Sequence, residues 1–117
     1  MHELSIAQAL VEQVEAVVAK ERASRAVKVM IAVGVLSGVE PEALHGAFPL
    51  VAEGTTAEGA ELVVEKVSAR VRCLACGQES PTDIYFMGCA QCGSRSVELT
   101  AGRELHIQSV ELMTDER

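Results

Sequence analysis

The sequence predicts a small α/β lobe of the α+β kind, with two helices and about three strands, interrupted by a zinc-ribbon-like metal lobe. Three observations carry this. Apolar residues recur at helical spacing over residues 4–18, and Val and Ile alternate over residues 27–35. Four cysteines then fall as Cys73-Leu-Ala-Cys76 and Cys89-Ala-Gln-Cys92. The expected division is an α/β domain of residues 1–68 with 98–113, a metal-binding domain of residues 69–97, and a frayed tail of residues 114–117.

Leu4, Ala7, Leu10, Val11, Val14, Val17 and Val18 form one stripe, with Glu12, Glu15 and Lys20 mostly off it. That is an amphipathic helix of about five turns. Ser5 and Gln8 have capping-box spacing, and the cations of Arg22–Arg25 suit the helix's negative end. Val27, Val29, Ile31, Val33 and Val35 predict a strand with one buried face. Pro41 suits the first position of a second helix, whose stripe is Leu44, Ala47, Phe48 and Val51. Gly46 and Pro49 argue against a regular helix there, because Pro49 removes a backbone donor. Residues 62–67 and 105–112 read as two further strands. The alternation of the last one slips at Ser109-Val110, as at a bulge.

Each CxxC turn offers two thiolates, and two facing turns close a tetrahedron of the kind zinc prefers. Gly77 and Gly93 follow the second cysteine of each pair, where a positive φ lets the backbone curl its amides toward sulfur. Two disulfides would require an oxidising compartment. Rubredoxin-like iron uses similar knuckles, and sulfur ligands alone do not choose between the two metals. A lobe of about thirty residues has too little apolar core to stand alone, so the metal supplies most of its stability.

The chain has 117 residues and a net charge of −7, with ten acids and five bases in residues 1–68 and seven acids and five bases beyond. Nucleic-acid binding needs a basic face to displace counterions, and no such face is encoded. The alternative of a zinc-ribbon protein- or nucleic-acid-binding module would rest on Arg70, Arg72 and Arg95, opposed by Glu79 and Asp83. Four cysteines leave zinc no open position for catalysis, and no GxSxG, HExxH or phosphate loop is present. The chain is therefore not expected to be an enzyme. No secretory or membrane segment is visible, which with unpaired cysteines predicts a cytoplasmic protein.

Met1-His2 offers an α-amine, the His2 amide nitrogen and the His2 imidazole in five- and six-membered chelate rings, with a further amide or carboxylate from Glu3. Ni²⁺ and Cu²⁺ favour such a planar nitrogen set. A histidine near a terminus is more often a solvated side chain, and that reading stands beside the metal one. His45 reads as solvated, while His106 reads as a cross-strand neighbour or a remote extra ligand.

Met1-His2-Glu3-Leu4-Ser5 opening onto a helix, Leu36-Ser37-Gly38-Val39-Glu40-Pro41-Glu42 between strand and helix, the two knuckles, and Gly102-Arg103-Glu104-Leu105 before the last strand come in this order. Together they closely resemble the HypA/HybF family over nearly the whole chain. The resemblance implies a nickel metallochaperone with structural Zn²⁺ on Cys73, Cys76, Cys89 and Cys92, and cargo Ni²⁺ on Met1, His2 and Glu3. It implies a HypB-type GTPase partner and delivery to the precursor of the [NiFe]-hydrogenase large subunit. In some organisms urease maturation also draws on this route. Ala90 departs from the proline common at that place in the second knuckle. The change costs turn rigidity and no ligand.

Overall fold

The computed structural model describes residues 2–83, 85 and 87–114, with the side chain of His2 outside that description. The fraying expected of residues 114–117 falls, beyond Thr114, outside the described residues. The elements are α1 (His2–Lys20), β1 (Arg25–Gly34), α2 (Pro41–Ala52), β2 (Glu61–Val67), β3 (Arg70–Cys73), β4 (Glu79–Pro81), β5 (Val97–Ala101) and β6 (Leu105–Met113). Among the described residues these form two three-stranded sheets, ordered β2-β1-β6 and β4-β3-β5. The α/β lobe thus has the two helices and three strands expected. Three short strands in the metal lobe were not expected.

The chain divides into two compact units, residues 1–31, 39–65 and 106–117, and residues 32–38 and 66–105. In the first unit α1 packs on α2. Ala7, Leu10, Val11, Val14 and Val18 are buried on α1, as the periodicity requires, and Leu44, Phe48 and Ala52 on α2. Val29 and Ile31 of β1 and Leu62 of β2 are buried as well. Each such side chain contributes about 1.5–3 kcal/mol when large. Phe48 is the largest of them, so α2 matters to the core out of proportion to its length.

α1 stops at Lys20, short of the expected Arg22–Arg25 end. Arg22 takes the left-handed conformation, φ 57°. Its amide donates to the Ala19 carbonyl, and the Ala23 amide to the Val18 carbonyl. This paired closure satisfies the last carbonyls of the helix. At the other end of the loop the Ser24 amide donates to the Met113 carbonyl at 2.8 Å, so the start of β1 meets the end of β6.

α2 runs unbroken through Pro49, contrary to the expected break. Pro49 and His45 both lie on the exposed side of the helix. The His45 carbonyl that loses its i+4 donor is therefore one that water can reach, and only a single turn follows. Val35 departs from expectation too: it lies past the end of β1 and is 54% exposed.

Within the second unit, Gly34 and Gly102 meet backbone to backbone. A Cβ built on Gly34 would lie 2.1 Å from the Gly102 carbonyl oxygen, and one on Gly102 would lie 2.9 Å from Ala69 Cα. No other residue fits at either place. The approach is held by the Gly34 amide on the Glu104 carbonyl (2.8 Å) and the Leu36 amide on the Gly102 carbonyl (2.7 Å). The Glu104 carboxylate accepts from the Gly102 amide at 2.8 Å. β3 is the middle strand of this unit's own sheet, antiparallel to β4 (Val71 opposite Ser80) and to β5 (Val71 opposite Leu99).

Candidate metal centre

Cys73 is the last residue of β3, and Cys76 follows across a turn. The Ala75 and Cys76 amides both donate to Cys73 Sγ at 3.3 Å, and the Gly77 amide donates to the Cys73 carbonyl at 2.9 Å. The second knuckle repeats this almost atom for atom. The Gln91 and Cys92 amides donate to Cys89 Sγ at 3.3 and 3.4 Å, and the Gly93 amide to the Cys89 carbonyl at 2.9 Å. Gly77 and Gly93 share φ 78°, the conformation that closes each curl. The Leu74 amide donates to the Ser96 carbonyl, which ties the first knuckle to the chain leaving the second.

All four sulfurs lie within 4.8 Å of one another. Cys73 and Cys92 Sγ are 3.6 Å apart, and Cys76 and Cys89 Sγ 3.7 Å. A disulfide needs about 2.05 Å, so these are unpaired thiols. A tetrahedron with metal–sulfur bonds of about 2.3 Å has edges of about 3.8 Å, and the observed spacings match it. The donor set and its spacing fit a divalent thiophilic metal in a closed site. Cys73 and Cys89 are buried; Cys76 and Cys92 are exposed.

The amides divide the four thiols electrostatically. The Cys76 amide, with that of Ala75, holds the Cys73 thiol down to about 6, against the opposing effect of burial. Cys89 is lowered in the same way, chiefly by the Cys92 amide. Cys76 receives the Gln78 amide, but burial and shared hydrogen bonds with its neighbours outweigh it and push it up to about 11. Cys92 is raised as well: the Ser94 amide opposes the shift, and the hydrogen bond shared with Cys73 drives it. In each knuckle the first thiol is thus biased toward the thiolate and the second toward the protonated form.

Ser80 was not singled out in the sequence. It is the buried polar residue of β4, and its hydroxyl accepts from the Ala90 amide at 3.1 Å. The amide that comes with Ala90 at this position therefore has a partner under the second knuckle. Across β3 and β4, Arg70 pairs with Glu79 at 3.6 Å, which ties up one of the three cations an anionic partner would need.

Met1 and the side chain of His2 lie outside the described residues. The backbone of His2 is the first of α1, so its amide has no acceptor within the helix. The Glu3 carboxylate accepts from the Glu40 amide at 3.3 Å. Glu40 is the residue before α2 and makes no side-chain cap of its own. Glu3 thus places a negative charge at the positive end of α2, in agreement with its dipole. Glu40 was likewise missed, although its place directly before Pro41 marks it as a helix cap. His45 and His106 are exposed, on α2 and on the edge strand β6. The four-cysteine group is the only cluster of potential ligands among the described residues.

A family model described as hydrogenase/urease nickel incorporation, metallochaperone, hypA matches residues 1–112. The hydrogenase maturation factor HypA of Aquifex aeolicus is 40% identical over 115 residues, covering 98% of this chain and 100% of the relative. That of Chlorobaculum tepidum is 43% identical over 109 residues, covering 93% and 96%. The fold is similar to the solution structure of the Ni metallochaperone HypA from Helicobacter pylori, with a TM-score of 0.72 at 23% identity over 97% of this chain and 98% of that one.

Proposed function

The chain belongs to the HypA family of hydrogenase/urease nickel-incorporation metallochaperones, and from that premise we propose that it binds Ni²⁺ at its amino terminus and delivers it to the [NiFe]-hydrogenase large-subunit precursor. Met1, His2 and Glu3 hold the cargo ion. Cys73, Cys76, Cys89 and Cys92 hold a structural Zn²⁺. The supporting observation is the start of α1 at His2, which leaves the His2 amide outside the helix's own hydrogen bonding. With the terminal amine and the imidazole it makes a nitrogen-rich set suited to nickel. One Glu3 carboxylate oxygen accepts from the Glu40 amide, and Glu3 offers nickel its amide nitrogen or its other carboxylate oxygen.

A site at a chain end is held by few covalent constraints, so an acceptor displaces its ligands one at a time. A metal enclosed by four thiolates has no comparable exit. The acceptor route runs through a HypB-type GTPase, in the cytoplasm, and extends to urease maturation where that enzyme is made. No catalysis and no nucleic-acid binding is assigned to the chain.

Elemental analysis before and after nickel titration tests this, repeated on His2→Ala. One zinc in both proteins, with one tightly bound nickel only in the parent, is the expected result. Undiminished nickel affinity in His2→Ala would sink the terminal assignment.

A further inference from the structure

Each knuckle combines a buried and an exposed cysteine, and two close sulfur pairs run between the knuckles. Exposed Cys92 lies 3.6 Å from buried Cys73, and exposed Cys76 lies 3.7 Å from buried Cys89. Coordination keeps all four as thiolates whatever the intrinsic acidity of each. The two reachable from solvent are then nucleophiles with a resolving thiolate already beside them. Neither buried sulfur is placed to meet an oxidant first, and each accepts two backbone amides that weaken its nucleophilicity.

We propose that Cys76 and Cys92 are peroxide-reactive sites, and that their oxidation closes the disulfides Cys73–Cys92 and Cys76–Cys89 and expels the metal. In each half-reaction the exposed thiolate attacks one oxygen of hydrogen peroxide, breaking the O–O bond to give a sulfenic acid and hydroxide. The buried thiolate then attacks that sulfur, forming the S–S bond and releasing a second hydroxide. Two peroxides are consumed for four thiolates, and the metal leaves with its charge unchanged. Sulfurs at the observed spacing must still close by about 1.6 Å to reach disulfide length. The turns therefore distort, and the tetrahedron cannot survive the first bond.

The inference rests on the four-thiolate zinc reading. Zinc content measured before oxidation separates the two: a chain that carries no zinc fails that reading, whereas a zinc-loaded chain that keeps its metal under peroxide fails this one. The full-length zinc-loaded chain is treated with hydrogen peroxide. Zinc release is followed with a colorimetric chelator, and the product is mapped by peptide mass spectrometry without reduction. Two peroxides per zinc, a mass loss of four hydrogens relative to the reduced apoprotein, and peptides linked 73–92 and 76–89 are the expected results. Reductant should then restore zinc binding. Retention of zinc under millimolar peroxide, or linkage within the knuckles as 73–76 and 89–92, would overturn the proposal. Trapping the wild-type protein with a sulfenic-acid reagent gives a second reading: label on Cys76 and Cys92 supports it, and label on Cys73 and Cys89 contradicts it.

Discussion

In the first unit the buried set includes Leu10, Val14, Ile31, Leu44 and Phe48, whereas among the described residues of 66–105 the largest buried aliphatic side chain is Val71. The second unit offsets that deficit with directed bonds. Two sulfurs each take two amides, and glycines at φ 78° close both turns. An apolar core tolerates the loss of any one contact in proportion to its size. A tetrahedral site loses most of its strength with a single ligand. Damage should therefore be graded in one unit and abrupt in the other.

The largest expected effect follows from that contrast. Cys73→Ser, or a strong chelator, should abolish most of the roughly 10–16 kcal/mol that such sites supply in small zinc peptides. Amide NMR should then show residues 70–101 losing dispersion while α1 and α2 keep theirs. Collapse of both sets together would erase the distinction between the units.

Next in size, Phe48→Ala should cost about 3–5 kcal/mol in urea unfolding through the cavity it leaves. Its metal content, by elemental analysis, should stay at the parental level. Gly34→Ala should come third, at about 1–3 kcal/mol or more, because backbone meets the new methyl. It is the variant best able to blur the comparison, since Gly34 lies at the end of β1 and touches Gly102.

Proton linkage sharpens the same point in the metal unit alone. Cys73, lowered from 9.0 to about 6, favours the metal-free fold above 9.0 and loses that contribution as pH falls through about 6. Cys76, raised from 9.0 to about 11, has the opposite sign: its contribution is full below 9.0 and is lost as pH rises through about 11. Metal entry near neutral pH should then release fewer than four protons, since Cys73 has already lost its own. Calorimetry in buffers of different ionisation enthalpy reads that number, and four protons would contradict the division of the thiols.

The smallest effect belongs to Glu3→Ala, which removes the acceptor at the start of α2. It should cost about 0.5–1 kcal/mol in unfolding. A larger loss would make the amino terminus a structural element in its own right.

The helix at Leu4–Val18, the strand at Val27–Val33 and the cysteine tetrahedron were all legible in the sequence, because each is written in a local period or spacing. Strands β3, β4 and β5 were not, since three to five residues carry no usable alternation. They exist because β3 enters the first knuckle and finds partners on both sides. Pro49 misled because it and His45 lie on the exposed side of α2, where water can stand in for the missing donor. Ser80 under Ala90 and Glu3 at Glu40 are contacts across 10 and 37 residues, which no short pattern encodes.

Strand order also bears on how the chain comes off the ribosome. β1 is central, yet one of its neighbours, β6, begins only at Leu105. Through the making of residues 35–104, one side of β1 presents unpaired amides and carbonyls beside Val29 and Ile31, a ready template for wrong partners. At about 5–20 residues per second this vulnerable interval lasts seconds. Early metal capture by Cys73–Cys92 would shorten the loop that must close before β6 can dock, and so shorten the exposure. Scarcity of the structural metal would then appear first as aggregation of new chains rather than as a loss of cargo handling.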